Sequence, residues 1–315
     1  MKITVLDGDT LGKDLDLSKL NSVGDAYIYG STSISELQNR IKDTDVIIVN
    51  KIPLNAETLK GADDLKLICV AATGYDNIDT KYCASKGIQV SNVVGYSTNS
   101  VAQVTVATVL ELATHMREYN SAVTSGKYSD SGLANMVAPI FYELAGKTWG
   151  IVGLGNIGKK VAEIAKAFGC RVIAHKRTPV EGYECVSLET LCRESDIISI
   201  HTPLTAETRS LIGKHELELM KKNVILYNAA RGAVTDEEAV AEAILSGNIG
   251  AFGSDVFSEE PLPRDNPIFK TANLPNVCLT PHMAWASSEA RNLCLDEMIE
   301  NIKAFEMGVR RNAVN

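Results

Sequence analysis

Six short apolar runs begin near residues 149, 171, 197, 224, 251 and 277, at intervals of 22, 26, 27, 27 and 26 residues. Each interval holds one strand, one crossover helix and two short connections, and little else. A chain paced in this way is committed to a parallel sheet with helices on both faces. Directly after the first run stands Gly153-Leu-Gly-Asn-Ile-Gly158. The residues before it, Lys147–Val152, read as a strand. Those after it place Ile157, Val161, Ile164 and Phe168 on one helical face, with Gly169 as the expected C-cap. In that context a G-x-G-x-x-G lets the backbone approach a pyrophosphate, whose charge the helix N-terminus stabilises. The second series is therefore expected to be a doubly wound sheet of Rossmann type that binds a dinucleotide.

The first third carries a second, less regular series. Its candidate strands are Lys2–Leu6, Ala26–Tyr29, Val46–Val49, Leu67–Ala71 and Ile88–Val90, separated by amphipathic stretches such as Ser33–Ile41. Alternating strand and helix signals again argue for a parallel sheet. Between the two series, Asn99–His115 is mostly apolar and lacks Gly and Pro, so it is expected to be a long buried helix. The domain change is placed there. After Ser287, Ala290, Leu293, Cys294, Met298 and Ile302 recur at helical spacing with no strand of their own. That helix is expected to return to the first domain. The expected division is residues 1–99 with 288–315, and residues 100–287. The segment Gly126–Gly146 is less regular. Its Met136, Phe141 and Tyr142 suit a cap on the active site of a neighbouring subunit, or core, or a dimer interface.

Charge and cysteine usage exclude several classes. Thirty-one Lys and Arg against 39 Asp and Glu leave a net charge of −8, and no basic block is present. Nucleic acid is thus not an expected partner, because its binding needs clustered cations. No apolar run approaches the roughly 18 residues of a membrane span. Met1–Asp7 reads as a first strand rather than a signal peptide. The seven cysteines are scattered and form no C-x-x-C pair, so neither a disulfide framework nor a metal site is expected. The expected location is the cytoplasm.

In a doubly wound sheet, ligands lie beyond the carboxyl ends of the strands. The second strand of the later series ends at His175-Lys176-Arg177-Thr178, with no acid to accept from a ribose 2′-OH. Two cations and a hydroxyl suit a 2′-phosphate instead. The expected cofactor is NADP(H) in preference to NAD(H). The competing reading is a solvated basic turn. The third strand ends at His201-Thr202-Pro203, expected to line the nicotinamide–ribose channel, with no catalytic role for His201. The last three strands run into Asn228-Ala229-Ala230-Arg231-Gly232, Asp255–Pro261 and Thr280-Pro-His282. An Arg, a carboxylate and a His on one sheet edge are what reduction of a 2-oxo acid requires. A guanidinium grips the carboxylate and polarises the carbonyl. An imidazolium delivers the proton. A neighbouring carboxylate favours the charged form and fixes its orientation. Separately, Arg231 also suits a salt bridge, Glu260 a solvated acid and His282 a core position.

These motifs, with His201-Thr-Pro-Leu-Thr-Ala-Glu-Thr208 and Asp236, make the chain resemble the D-isomer-specific 2-hydroxyacid dehydrogenases over essentially its whole length. The resemblance implies Arg231 as substrate-binding, Glu260 as the partner of the His, and His282 as acid/base. It implies a flavodoxin-like substrate domain made of the first series and the final helix. That domain would close over the substrate with the nucleotide domain, and a homodimer would form through the latter. The cofactor site so implied comprises Gly153, Gly155, Asn156, Ile157, Gly158, Lys176, Arg177, Thr178, His201, Thr202, Pro203, Thr208, Ala229, Ala230, Arg231, Asp255 and His282, with Asp255 on the nicotinamide side.

Within the family, Asn50–Leu54, Ala72–Asp79 and Gly95–Gln103 look most like glycerate dehydrogenases, also called hydroxypyruvate reductases. By that similarity the backbone N–H groups of Thr73 and Gly74 would hold the substrate carboxylate, with Lys51 near the other end. The implied reaction is reduction of hydroxypyruvate or glyoxylate. The same chemistry on 3-phosphoglycerate or a branched 2-oxo acid is an alternative. A dinucleotide-sensing, corepressor-like binding module is another.

Overall fold

A computed structural model describes residues 1–315. The chain divides into two compact units, Met1–Ser97 with Trp285–Asn315, and Thr98–Ala284. These limits fall slightly before the expected ones. The connecting helix already begins at Thr98. Trp285 packs edge-on against Tyr96, ring centroids 6.2 Å apart, and so belongs to the first unit.

In the first unit, β1 (Lys2–Val5), β2 (Asp25–Ile28), β3 (Val46–Val49), β4 (Leu67–Val70) and β5 (Gln89–Ser91) form a parallel sheet. Its order, β2-β1-β3-β4-β5, is the flavodoxin-like one. Every residue of β3 and β4 is buried, because both sheet faces are covered. Ile3, Val5, Ile48 and Cys69 point to one face, against Leu295, Met298 and Ile302 of the helix Ser288–Glu306. Leu6, Ile47, Val49 and Ile68 point to the other, against Leu37 and Ile41 of the helix Ile34–Ile41. The final helix therefore packs on one face of the first unit's sheet.

The second unit holds β6 (Thr148–Val152), β7 (Arg171–His175), β8 (Glu184–Cys185), β9 (Ile197–Ile200), β10 (Ile225–Asn228), β11 (Ala251–Ser254) and β12 (Val277–Leu279). All pair in parallel, in the order β12-β11-β10-β9-β6-β7-β8. The sequence pattern shows six of these seven strands. The two-residue edge strand β8 is too short and too polar to stand out. The order reverses at β6, which lies between β7 and β9. That reversal is the switch point at which such sheets bind ligands.

The helix expected at Asn99–His115 runs from Thr98 to Thr114 and buries Val101, Ala102, Val106, Val109 and Leu112. It stops where His115 takes a left-handed φ of 54°. Beyond the short helix Lys127–Asp130, the chain to Gly146 has no regular structure. The core reading of its aromatics is overturned, since Phe141 is 51% and Tyr142 66% exposed. Phe141 meets Tyr119 edge-on, and Tyr142 lies under the Lys147 ammonium. No helix is long and apolar enough to cross a membrane. All seven cysteines are free thiols.

Candidate active site

Because the seven strands of the second unit are parallel, their carboxyl ends share one edge. The Gly153–Gly158 turn leaves β6 there, and the helix Asn156–Ala167 begins within it. Gly153 has φ +97°, and a Cβ on it would come 2.7 Å from the backbone of His201. A Cβ on Gly158 would come 2.2 Å from the Gly153 carbonyl oxygen. Over Gly155, by contrast, nothing lies within 4 Å. The turn is packed on the inside and open on the outside, as backbone contact with a pyrophosphate requires. The adjacent β9 brings His201. Both its ring nitrogens are sealed from solvent and make no hydrogen bond within the chain. Burial lowers its pKa to about 3, so the ring is neutral. The His201 ring is thus packed but unsatisfied within the chain. An open glycine turn beside orphaned ring nitrogens fits a dinucleotide.

At the end of β7, Lys176, Arg177 and Thr178 are exposed. The Lys176 ammonium donates to the Leu154 carbonyl at 3.3 Å, which places it beside the glycine turn. Thr202 is half-buried and Pro203 exposed. Three of the expected contact residues make hydrogen bonds within the chain. The Thr208 hydroxyl donates to the Pro203 carbonyl and accepts from the Thr205 N–H, each at 2.7 Å. It closes its own turn. The N–H groups of Ala229 and Ala230 donate to the Ile200 carbonyl and to Asn228 Oδ1.

Arg231, Glu260 and His282 follow the neighbouring strands β10, β11 and β12. His282 Nδ1 lies 2.6 Å from Glu260 Oε2. The other Glu260 oxygen accepts from the Phe257 N–H at 3.0 Å. The solvated-acid and core readings are therefore set aside for this pair. Arg231 is half-buried, and its Nη1 donates to the Ala230 carbonyl at 2.8 Å. Asp255, expected on the nicotinamide side, braces the loop after β12. It is 2% exposed, and burial raises its pKa. Its Oδ1 accepts from the Thr280 hydroxyl (2.6 Å) and the Met283 N–H (2.9 Å), and its Oδ2 from the Ala284 N–H (2.9 Å). Its carboxylate is committed to the loop that presents His282.

Two further braces escaped the sequence reading. Buried Asn228 donates to the Arg231 carbonyl at 2.9 Å and so shapes the Arg231 turn. Glu237 accepts from the Ser258 N–H and hydroxyl and from Asn266 Nδ2, anchoring the loop around Glu260. The available signal for Asn228 was a polar residue closing an apolar strand.

In the first unit, Lys51, Thr73 and Gly74 follow β3 and β4 at the carboxyl edge of that sheet. The buried Asp7 carboxylate accepts from the N–H groups of Asn50 (3.0 Å) and Lys51 (2.7 Å). The N–H groups of Thr73 and Gly74 are not used by the sheet or the turn.

Comparison with known proteins agrees with this geometry. Residues 106–284 match the family described as D-isomer specific 2-hydroxyacid dehydrogenase, NAD binding domain. A glycerate dehydrogenase of Methylorubrum extorquens is 38% identical over 99% of this chain and 98% of its own. A hydroxypyruvate reductase of Blautia hydrogenotrophica is 36% identical over the full length of both chains. Among solved structures, an acyclic imino acid reductase in complex with NADPH and D-Arg superposes with a TM-score of 0.89, at 32% identity, over 100% of both chains.

Proposed function

Since the chain belongs to the D-isomer-specific 2-hydroxyacid dehydrogenases, we propose that it reduces hydroxypyruvate or glyoxylate to the corresponding 2-hydroxy acid, with NADPH preferred over NADH. The observation that carries the reading is the 2.6 Å contact between His282 and Glu260, on the sheet edge that also bears Arg231 and the glycine turn. When bound, a reduced nicotinamide supplies a hydride to carbon 2 of the oxo acid. His282 holds one proton on Nδ1 against Glu260 and gives another from Nε2 to the oxo oxygen. The fixed pairing selects which nitrogen does the transfer. The Arg231 guanidinium binds the carboxylate and draws charge from the carbonyl as it reduces. Lys51 and the N–H groups of Thr73 and Gly74 are assigned to the substrate.

The NADPH preference rests on Lys176, Arg177 and Thr178, and on the absence of an acid at 174–178. A homodimer through the second unit is supported by Val137, Ile140, Phe141 and Tyr142, which expose 51–76% of their surface within six residues. Seven free thiols suit a reducing compartment, the cytoplasm.

The test is a panel of hydroxypyruvate, glyoxylate, 3-phosphohydroxypyruvate and a branched 2-oxo acid with each cofactor, followed by nicotinamide absorbance. Hydroxypyruvate or glyoxylate with NADPH should show the highest kcat/KM. Preference for the branched or phosphorylated acid would replace the substrate. Dinucleotide binding without any turnover would favour a sensing module.

A further inference from the structure

We infer that two buried amides, Asn301 and Asn92, are positioning residues that aim the N–H groups of Thr73 and Gly74 at the substrate carboxylate. The inference rests on the proposed role of those N–H groups and extends it to residues remote in sequence.

Asn301 is fully buried, and Asn92 is 5% exposed. A side-chain amide inside a core is costly unless it is hydrogen-bonded; Asn301 bonds through both its oxygen and its nitrogen, and Asn92 through its nitrogen. Asn301 lies in the helix Ser288–Glu306, between Met298 and Ile302, which pack in the core. Its Oδ1 accepts from the Arg311 guanidinium (2.6 Å) and Asn312 Nδ2 (3.0 Å). Its Nδ2 donates to the Asn92 carbonyl at 2.9 Å. The next N–H, of Val93, donates to the Ala72 carbonyl at 3.0 Å. The Asn92 side chain donates to the Thr73 carbonyl at 2.7 Å. The Thr73 hydroxyl returns a bond to the Val93 carbonyl, also at 2.7 Å.

The direction of these bonds carries the argument. In a trans peptide the C=O and the following N–H point in opposite senses. A donor held on the Ala72 carbonyl therefore turns the Thr73 N–H outward, and a donor on the Thr73 carbonyl does the same for the Gly74 N–H. The Thr73 branch begins at a guanidinium, and every link to it passes donor to acceptor in one sense. Successive polarisation strengthens the terminal donor. Two adjacent outward N–H groups, each backed by a buried donor, form an anion-binding concavity.

The full-length enzyme tests this through the variants Asn92→Ala and Asn301→Leu. The readouts are KM and kcat for the preferred 2-oxo acid, the Ki of oxamate as a carboxylate probe, the Kd of NADPH, and thermal unfolding. Each variant is expected to raise KM and the oxamate Ki together, by about tenfold. The NADPH Kd should stay within about twofold and kcat should change less than KM. Should either variant fail to fold, Asn92→Ser, which keeps a shorter donor, is read by the same Ki-to-Kd ratio. An unchanged Ki in a folded variant, or equal weakening of oxamate and NADPH, overturns the relay. No 2-oxo-acid turnover by the wild type would overturn the function itself, a result distinct from turnover with an indifferent Asn92.

Discussion

Glu260 Oε2 and His282 Nδ1 are 2.6 Å apart, and His282 reaches this partner from a left-handed backbone with φ +53°. A residue other than glycine is uncommon there, and the conformation costs about 1 kcal/mol or more. The contact thus joins two loops after neighbouring strands, one of which is held in a strained turn.

Removing the proton donor separates chemistry from binding. His282→Ala should lower kcat for 2-oxo-acid reduction by about 10²–10⁴. The NADPH Kd, measured by nucleotide fluorescence, should change little. Glu260→Gln should lower kcat by less, because the imidazole remains. An unaltered kcat in His282→Ala would remove it from the acid role.

Asp255 holds the strained turn through three hydrogen bonds. Asp255→Ala leaves the Met283 and Ala284 N–H groups without their acceptor, at about 1–3 kcal/mol for each that stays buried. Denaturant unfolding should show the loss of stability, and kcat should fall with it. A variant as stable and active as the wild type would contradict the bracing role.

The cations after β7 predict cofactor choice. The wild type should have the higher kcat/KM with NADPH, and Lys176→Asp should shift the NADPH-to-NADH ratio toward NADH by tenfold or more, about 1.4 kcal/mol. A wild-type preference for NADH would assign Lys176 and Arg177 to a solvated turn.

The buried His201 ring makes the apoprotein acid-sensitive. It titrates at about 3 in the fold against 6.5 ordinarily. Between those values the unfolded chain binds a proton that the folded chain refuses, so stability falls as pH falls through that window. The slope is about 1.4 kcal/mol per pH unit. Between pH 7 and 5 the wild type should lose about 2 kcal/mol more than His201→Asn in urea unfolding. Equal losses would place the ring in contact with water.

The exposed aromatics of the second unit predict association. The wild type should sediment as a dimer, and Phe141→Asp with Tyr142→Asp should shift it toward monomer. A wild-type monomer would leave that apolar segment without this explanation.

The sequence by itself determined the architecture. The strand period, the uninterrupted apolar runs and the glycine turn sufficed for two doubly wound sheets, because burial on both faces writes itself into consecutive residues. It also located Arg231, Glu260 and His282 at strand ends, since topology alone decides which loops share an edge. Only the tertiary structure decided what those loops are built on. Asp255 and Thr208 were expected at the cofactor, and the structure shows them bracing backbone, Asp255 in the loop after β12 and Thr208 in its own turn, because a short polar side chain bonds whatever backbone lies within about 3 Å. Asn228 stood inside the Arg231 motif without a role, and Glu237, Asn92 and Asn301 carried no motif. Their partners are set by which loops and helices meet, up to 209 residues apart for Asn92 and Asn301, and no local pattern encodes such a meeting.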